Sequence, residues 1–336
     1  MGTDKSFLSW LVEPFISGRI SAPGQVVSEN ALPLGEETSR VISEDKIKFR
    51  PETFEQYIGQ ERAKEILKGY IVGVSKRNHV FPHTLIHGNP GMGKTTLARL
   101  ISMYLGVKYC YCIGSEIQTY DDITRRIELV DGGIVFMDEM HSMKRNMAEK
   151  LYPILEDFRD CEKQFTMIGA TTELGDLLRD RQPFHDRFRI IIELEDYTTP
   201  DLLKIAQQYK DKVFPDDVIE SETYAMVARN CRAAPRSLIR LLEASIYMGG
   251  YREAFKSLGI IRNGFTEKDL KMLDYLSENK RGVGLSSIAT YLHVPEKTYL
   301  YEIEPYLVRM GLILRGAKGR QITSKGIELV GALATK

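Results

Sequence analysis

The chain is short of the features that mark secreted, membrane-embedded or strongly charged proteins. It has four cysteines in 336 residues, and Cys110, Cys112, Cys161 and Cys231 show neither a disulfide framework nor the paired spacing of a zinc site. No apolar run approaches the length of a membrane span. Forty-six basic residues balance forty-six acidic ones, so any affinity for nucleic acid has to come from a local patch. These absences predict a protein of the reducing cytoplasm that has no membrane partner.

What is present changes character along the chain and predicts four parts. Residues 1–45 read as a short amphipathic leader and a Gly/Pro/Ser/Glu-rich linker. Residues 46–196 alternate short apolar strands with amphipathic helices, which is typical of an α/β domain with a parallel sheet. Residues 197–263 read as three helices (200–208, 221–230 and 235–248) that form a small lid. Residues 264–336 read as three helices (266–279, 285–292 and 297–310) that include a helix-turn-helix, followed by two short strands, the order of a winged helix.

A phosphate-binding motif is the strongest single signal. Residues 88–95 spell Gly-x4-Gly-Lys-Thr, a loop whose backbone N–H groups cradle nucleotide phosphates. Its context fits, because a predicted strand (84–87) precedes it and a predicted helix (95–105) follows it. Lys94 is expected to reach the β- and γ-phosphates, and the hydroxyl of Thr95 is expected to ligate Mg²⁺. The motif therefore predicts that the chain binds and hydrolyses ATP with Mg²⁺.

Polar residues follow two further predicted strands. Asp138 and Glu139 come after the apolar run 134–137, where an open α/β sheet binds its ligand. Asp138 is expected to hold Mg²⁺, and Glu139 to orient and deprotonate the attacking water. Thr171 ends another apolar strand and could hydrogen-bond the γ-phosphate or the lytic water. Taken alone, each of these has a plain alternative: a surface acidic pair, or a capping hydroxyl.

Several cations are candidates for contacts with phosphate. Arg187 lies in an arginine-rich segment before the strand 190–194, and Arg236 follows Pro235 at the start of a lid helix. A guanidinium at the γ-phosphate can neutralise transition-state charge, but a solvated basic surface would look the same in sequence. Arg315, Lys318 and Arg320 lie on the predicted wing, and no acidic residue occurs between Glu304 and Glu328. This stretch predicts contact with the phosphates of double-stranded DNA, although a charged hairpin can also be only a solvated edge.

As a set, these residues resemble the RuvB family of AAA+ ATPases, from about Phe49 to the end of the chain. The motifs that carry the resemblance occur in the family's order and are Arg50-Pro51, Tyr57-Ile58-Gly59-Gln60, the phosphate loop, Asp138-Glu139-Met140-His141, Leu151-Tyr152-Pro153, Glu156-Asp157, Ile168-Gly169-Ala170-Thr171-Thr172, Asp186-Arg187-Phe188, Ala234-Pro235-Arg236, Glu304-Pro305-Tyr306-Leu307 and Gly319-Arg320. The resemblance implies a homo-hexameric ring that translocates double-stranded DNA and drives branch migration of four-way (Holliday) junctions in recombination and repair.

The same resemblance implies roles for individual residues. The nucleotide would be framed by Phe49, Arg50, Tyr57, Ile58 and Tyr197, and its phosphates would lie on Gly91, Gly93, Lys94, Thr95 and Thr96. Glu156, Asp157 and Phe158 would lie along the subunit boundary near ATP. Arg187 matches the arginine finger that reaches the neighbouring site, and Arg236 matches the lid arginine that senses the γ-phosphate in cis. Arg315 and Arg320 match wing positions that touch DNA.

Two departures from the family pattern affect what can be transferred. In the family, a β-hairpin between the Glu156-Asp157 segment and the next strand grips the partner protein RuvA, but here only residues 159–164 separate Phe158 from Phe165. This is too short for two strands and a turn, so use of a RuvA-type junction protein stays open, with the leader as a candidate replacement. The second departure, residues 182–185, changes the approach to Arg187.

Two rival functions remain at this stage. A nucleotide-gated DNA-binding switch or loader would use ATP only to set its assembly. A protein remodeller would be stimulated by polypeptide and would be indifferent to DNA, against which the basic wing argues. Duplex-stimulated ATP hydrolysis with directional displacement of a bound strand would favour the motor.

Overall fold

A twisted parallel sheet carries the first half of the chain. The structure, a computed structural model, describes residues 26–27, 49–279, 281–316 and 318–334. Six strands pair in the order β1-β3-β4-β5-β2-β6, and all of these pairs are parallel. The strands are β1 (Val26–Val27), β2 (Thr84–His87), β3 (Tyr109–Ile113), β4 (Ile134–Asp138), β5 (Thr166–Thr171) and β6 (Ile190–Glu193).

Helices connect the strands, as a parallel sheet requires. They are α1 (Glu61–Arg77), α2 (Lys94–Leu105), α3 (Tyr120–Val130), α4 (Arg145–Asp157) and α5 (Leu174–His185). Central strand β4 is buried from Ile134 to Met137, as expected for a strand covered on both faces. The predicted α/β core is therefore confirmed, with two strands more than the sequence indicated. These are the two-residue β1, which lies inside the predicted linker, and β3, whose Cys110 and Cys112 are buried and whose Tyr111 is exposed.

The second half is helical with two small hairpins. It contains α6 (Thr199–Val213), α7 (Ser221–Asn230), α8 (Pro235–Tyr247), α9 (Tyr251–Ser257), β7 (Ile260–Arg262), β8 (Phe265–Thr266), α10 (Glu267–Glu278), α11 (Leu285–Leu292), α12 (Glu296–Thr298), α13 (Glu304–Arg309), β9 (Ile313–Gly316), β10 (Gly319–Ile322) and α14 (Ser324–Ala334). Helices α9 and α14 were not foreseen. The predicted wing is present as the antiparallel pair β9–β10.

The third helix of the winged-helix region is interrupted where the sequence predicted one continuous helix. A π-helical turn, Tyr299–Ile303, joins α12 to α13. Pro305 lies in the first turn of α13 and has no N–H to donate to the carbonyl of Tyr301, four residues earlier. The lost donor accounts for the local change from α to π spacing.

Contacts between residues divide the chain into two units, 1–201 and 202–336, each described here by itself. The predicted division into four parts stays a prediction, and its leader lies outside the described residues apart from Val26–Val27. Across the described ranges, no helix is both long and apolar enough to cross a membrane.

Candidate functional site

The phosphate loop lies between β2 and α2, where the sequence placed it. Gly88, Gly91 and Gly93 all have positive φ angles, of 146°, 77° and 99°. A Cβ at Gly93 would lie 2.7 Å from the hydroxyl of Tyr57, so a side chain is excluded there. The buried Lys94 donates from Nζ to the carbonyls of Gly88 (2.8 Å) and Asn89 (3.0 Å). These carbonyls hold the ammonium at the mouth of the loop, where it would meet phosphate oxygens.

Two buried tyrosines contact the backbone of the phosphate loop. The hydroxyls of Tyr57 and Tyr197 lie 3.4 Å and 3.2 Å from the carbonyl oxygen of Met92, and both rings are buried. Burial raises the pKa of both phenols, so both hydroxyls stay protonated donors. Both hydroxyls contact the backbone of the phosphate loop, and the framing of the nucleotide that the resemblance implied stays a prediction.

The remaining residues predicted to frame the nucleotide or touch its phosphates are more open. Arg50 is exposed, and the others are half-buried: Phe49, Ile58, Gly91, Gly93, Thr95 and Thr96. All of them belong to the same unit as the loop.

The end of β4 brings the predicted metal ligands together. The Thr95 hydroxyl lies 3.3 Å from Oδ2 of Asp138, and Oδ1 of Asp138 accepts from the backbone N–H of Glu139 at 3.0 Å. A hydroxyl and a carboxylate oxygen are the hard ligands that Mg²⁺ takes from P-loop proteins, with water and phosphate oxygens completing its shell. The described residues contain no cluster of three His, Cys, Asp or Glu side chains that could hold a metal without such help. The pair therefore fits a nucleotide-bound Mg²⁺.

Glu139 and Thr171 lie at the same carboxyl edge of the sheet. Glu139 is exposed and adopts a left-handed backbone, φ 45°, which is uncommon for a residue with a side chain. Thr171 is fully buried, accepts from the N–H of Glu173 at 3.0 Å, and lies 3.1 Å from Nδ1 of His141. The sequence had given His141 no role, yet its ring joins the end of β5 to the turn that follows Glu139. The neighbouring Thr172 is exposed.

A second group of predicted residues lies at the opposite, amino edge. Arg187 donates from Nη2 to Oε2 of Glu156 at 2.7 Å, and its guanidinium stacks 5.0 Å over the ring of Tyr152. Asp157 is exposed beside Glu156. Phe158 ends α4 in a left-handed conformation, φ 53°. The sequence analysis named Tyr152 only as part of a family motif and gave it no role, although it lies one helical turn before Glu156.

The segment between α4 and β5 contains no hairpin in the described structure. Residues 159–165 form turns and bends and lead directly into Thr166. The hairpin that the resemblance implied is thus absent from residues 159–165, as the spacing predicted.

Two wing arginines share a buried carboxylate, that of Glu304 on α13, which the local sequence of the wing does not reveal. Glu304 is fully buried, and its Oε1 accepts from Nε of Arg320 at 2.7 Å while its Oε2 accepts from Arg320 Nη2 at 3.2 Å. Oε2 also forms an ion pair with Arg315 Nη2 at 2.9 Å. The Arg315 side chain is 54% exposed but that of Arg320 only 17%. Lys318 is exposed at the tip of the hairpin. Arg236 lies on the first turn of α8, in the same unit, and is exposed.

Comparisons with known proteins agree along the chain. Residues 49–162 match the family model of the Holliday junction DNA helicase RuvB P-loop domain, and residues 262–331 match the RuvB C-terminal winged helix domain. The chain is similar to the Holliday junction branch migration complex subunit RuvB of Campylobacter fetus subsp. fetus, with 36% identity over 86% of this chain and 91% of that protein. It is also similar to the subunit of the same name in Mycoplasmopsis pulmonis, with 34% identity over 84% of this chain and 97% of that one.

Solved structures give the same answer. The Thermotoga maritima RuvB Holliday junction branch migration motor superposes with a TM-score of 0.76 and 31% identity, covering 84% of this chain and 98% of that one. Both halves of the fold and the nucleotide site are thus accounted for together, and the chain belongs to the RuvB family of P-loop ATPases.

Proposed function

We propose that this chain is an ATP-driven motor subunit that moves Holliday junctions, assembled as a hexameric ring around double-stranded DNA. One observation carries the proposal: Lys94, Thr95 and Asp138 meet at one edge of the sheet in a chain that is 36% identical to a branch migration subunit over most of its length. The ring, the metal and the individual residue roles below are parts of this proposal.

At the carboxyl edge, the chain's own residues bind ATP and prepare it for hydrolysis. Lys94 and the N–H groups of the loop hold the phosphates, and Tyr57 and Tyr197 keep the loop rigid. Thr95 and Asp138 would hold Mg²⁺, which would supply positive charge to the nucleotide phosphates. Glu139 takes a proton from the attacking water. Thr171 acts through its contact with His141 and is a positioning residue.

The topology supports a role for Arg187 in the neighbouring site. Strand β6 runs parallel to β2, with Ile190 opposite Thr84 and Glu193 opposite His87. The phosphate loop follows His87, whereas Arg187 precedes Ile190, so the two lie at opposite edges of the sheet. Four strand residues separate these edges by roughly 13 Å. Arg187 therefore cannot reach the γ-phosphate held by its own chain, and a finger role requires a second subunit.

Glu156, Asp157 and Phe158 lie at the amino edge with Arg187, because they end α4 just before β5 begins. The same distance argument assigns them to the subunit boundary rather than to their own chain's nucleotide. Glu156 then holds Arg187 when no neighbour is engaged. Arg236 acts as the lid arginine that senses the γ-phosphate.

On the DNA side, the wing contacts phosphates chiefly through Lys318 and Arg315. Arg320 is mostly covered and is paired at two points with the buried Glu304, so its part is to hold the hairpin in shape. This division of labour differs from the equal roles implied by the family resemblance. A RuvA-type partner would have to dock elsewhere than on residues 159–164.

A junction assay tests the proposal directly. The purified chain is mixed with ATP, Mg²⁺ and a fluorescent four-way junction, with and without candidate junction proteins, and the two product duplexes are followed in time. We expect ATP-dependent dissociation that Lys94→Ala and Glu139→Gln both abolish, although Glu139→Gln still retains bound ATP. ATP hydrolysis that polypeptide stimulates and duplex DNA leaves unchanged would overturn the motor in favour of a remodeller.

A further inference from the structure

The link between α7 and α8 is backbone of an unusual kind. Arg232 and Ala233 both adopt left-handed conformations, with φ angles of 56° and 55°. Residues with side chains visit this region rarely, and then usually one at a time. Such a conformation persists only where surrounding contacts over-determine it. Arg236, the proposed γ-phosphate sensor, lies just beyond the link on the first turn of α8.

The contacts that fix this link come from the winged-helix side. The Arg232 guanidinium donates from Nε to the carbonyl of Gly264 (2.9 Å) and from Nη1 to the carbonyl of Glu302 (3.0 Å). Its Nη2 pairs with Oδ2 of Asp269, and its plane lies 4.4 Å from the ring centre of Tyr306. These four partners of the Arg232 side chain all lie at residue 264 or beyond, although Arg232 itself belongs to the helical region before it.

The acidic partner of Arg232 is a buried carboxylate, that of Asp269. Asp269 is fully buried and caps α10 by accepting from the backbone and hydroxyl of Thr266. Burial raises the pKa of the Asp269 carboxyl, and the Arg232 charge opposes that rise. A buried carboxylate without its arginine is strongly unfavourable, so the pair resists separation.

Two more contacts join residues 230–232 to the region that begins at Gly264. The side chain of Asn230 accepts from the N–H of Gly264 at 2.9 Å. A Cβ at Gly264 would lie 2.8 Å from the Asn230 carbonyl oxygen, so the two backbones touch where only glycine fits. In the other direction, Arg309 donates from Nη2 to the carbonyl of Arg232. Hydrogen bonds from both regions therefore fix the link between α7 and α8 around the guanidinium of Arg232.

We propose that Arg232 is a positioning residue that locks the helical lid to the winged-helix region, so that a nucleotide-dependent movement at Arg236 is delivered to the DNA-binding wing. The inference rests on the proposed motor function for its consequence, but the lock itself is a property of the unit 202–336. Without the lock, each half would keep its own fold and its own ligand while the force between them is lost.

The lock is tested first without any motor activity. Spin labels are placed on Met248→Cys at the end of α8 and Ile327→Cys on α14, which are 44% and 55% exposed, in a Cys161→Ser background because the other three cysteines are buried. Pulsed dipolar spectroscopy then measures the distance between the two labels.

We expect one narrow distribution of distances that stays the same with ADP and with a non-hydrolysable ATP analogue. Arg232→Ala should broaden it, Arg232→Lys should broaden it less, and Arg262→Ala, an exposed arginine on β7, should not. A distribution that Arg232→Ala leaves narrow overturns the lock, whatever the motor does.

The consequence is tested on the full unlabelled chain. Arg232→Ala should keep basal ATP hydrolysis and duplex binding near the unsubstituted level, but duplex-stimulated hydrolysis and strand displacement per ATP should each fall at least about fivefold. If Arg232→Ala does not fold, Asp269→Asn makes the same test with the arginine in place. Unchanged displacement per ATP in a folded variant overturns the delivery of movement. Absence of DNA-stimulated hydrolysis in the unsubstituted chain would instead refute the motor proposal and leave the spin-label result to decide the lock.

Discussion

Arg187 offers the sharpest test of the ring, because the sheet separates it from its own phosphate loop. Replacing Arg187 with alanine removes a half-exposed ion pair with Glu156 and a stacking contact with Tyr152. Losses of this kind cost about 1 kcal/mol in stability, so the variant should remain folded. If Arg187 is an arginine finger, its replacement should lower the rate of ATP hydrolysis by roughly 10³-fold or more. Arg189→Ala, two residues on and exposed at the same edge, is the matched control and should hydrolyse ATP normally.

Mixing two inactive variants distinguishes a finger in trans from one in cis. A Lys94→Ala subunit cannot hydrolyse ATP but still carries Arg187, and an Arg187→Ala subunit has the converse defect. In randomly mixed rings at equal amounts, about one quarter of the head-to-tail interfaces pair an intact loop with an intact finger. A coupled ATPase assay should therefore recover up to about one quarter of normal turnover. If the mixture stays at the level of either variant alone, although subunit exchange is demonstrated by mass, the trans assignment is wrong.

Three further outcomes follow from the site, the wing and the core. Glu139→Gln should bind ATP and not turn it over, so nucleotide extracted from the washed protein should be ATP; recovered ADP would contradict its role as base. Lys318→Ala should flatten the slope of log affinity for duplex against log salt by about 1. Arg320→Ala should leave that slope nearly unchanged and destabilise folding by about 2 kcal/mol, because the buried Glu304 loses two hydrogen bonds and keeps only its ion pair with Arg315. Burial lowers the pKa of His83 from 6.5 to about 4. Between pH 6.5 and pH 4 the unfolded chain binds a proton at this histidine that the folded chain does not bind. The His83 contribution to the free energy of unfolding is therefore fully present above pH 6.5, and it should fall by about 3 kcal/mol as the pH drops towards 4. This loss should vanish in His83→Gln, and a thermal-unfolding pH series that is flat for both proteins would refute the prediction.

The elements that the sequence predicted well are those whose signals are local. Strand Thr84–His87 and helices Ser221–Asn230 and Leu285–Leu292 have the predicted bounds, because an apolar run or a helical repeat was bordered by clear turn residues. Strand Tyr109–Ile113 was not predicted, because two cysteines make up its buried face and cysteine is as typical of metal or disulfide sites as of a buried strand. Helix α14 escaped because the basic wing before it drew the reading towards charge.

The candidate site divides in the same way. The cluster of Lys94, Thr95 and Asp138 could be predicted because the loop motif and a strand end fix each position locally, and the parallel sheet brings them to one edge. The partners of the arginines could not be predicted. Glu304 lies 16 residues from Arg320, Glu156 lies 31 from Arg187, and Asp269 lies 37 from Arg232. Pairings at such separations depend on how elements pack, and a single sequence carries no periodic signal for them.

The buried Glu304 also changes how the wing must work. The sequence suggested a block of uncompensated cations, yet one carboxylate is shared between Arg315 and Arg320, so few positive charges face outwards on each hairpin. A wing with about two phosphate contacts binds duplex weakly and loses affinity only modestly with salt. Weak binding suits a motor, because a subunit that held DNA tightly could not release it at each step. It is sufficient only if several copies hold the same duplex at once, since linked weak contacts gain strength from their effective concentration. The pairing of the wing arginines with Glu304 of α13 therefore supports the same ring that we propose from the position of Arg187.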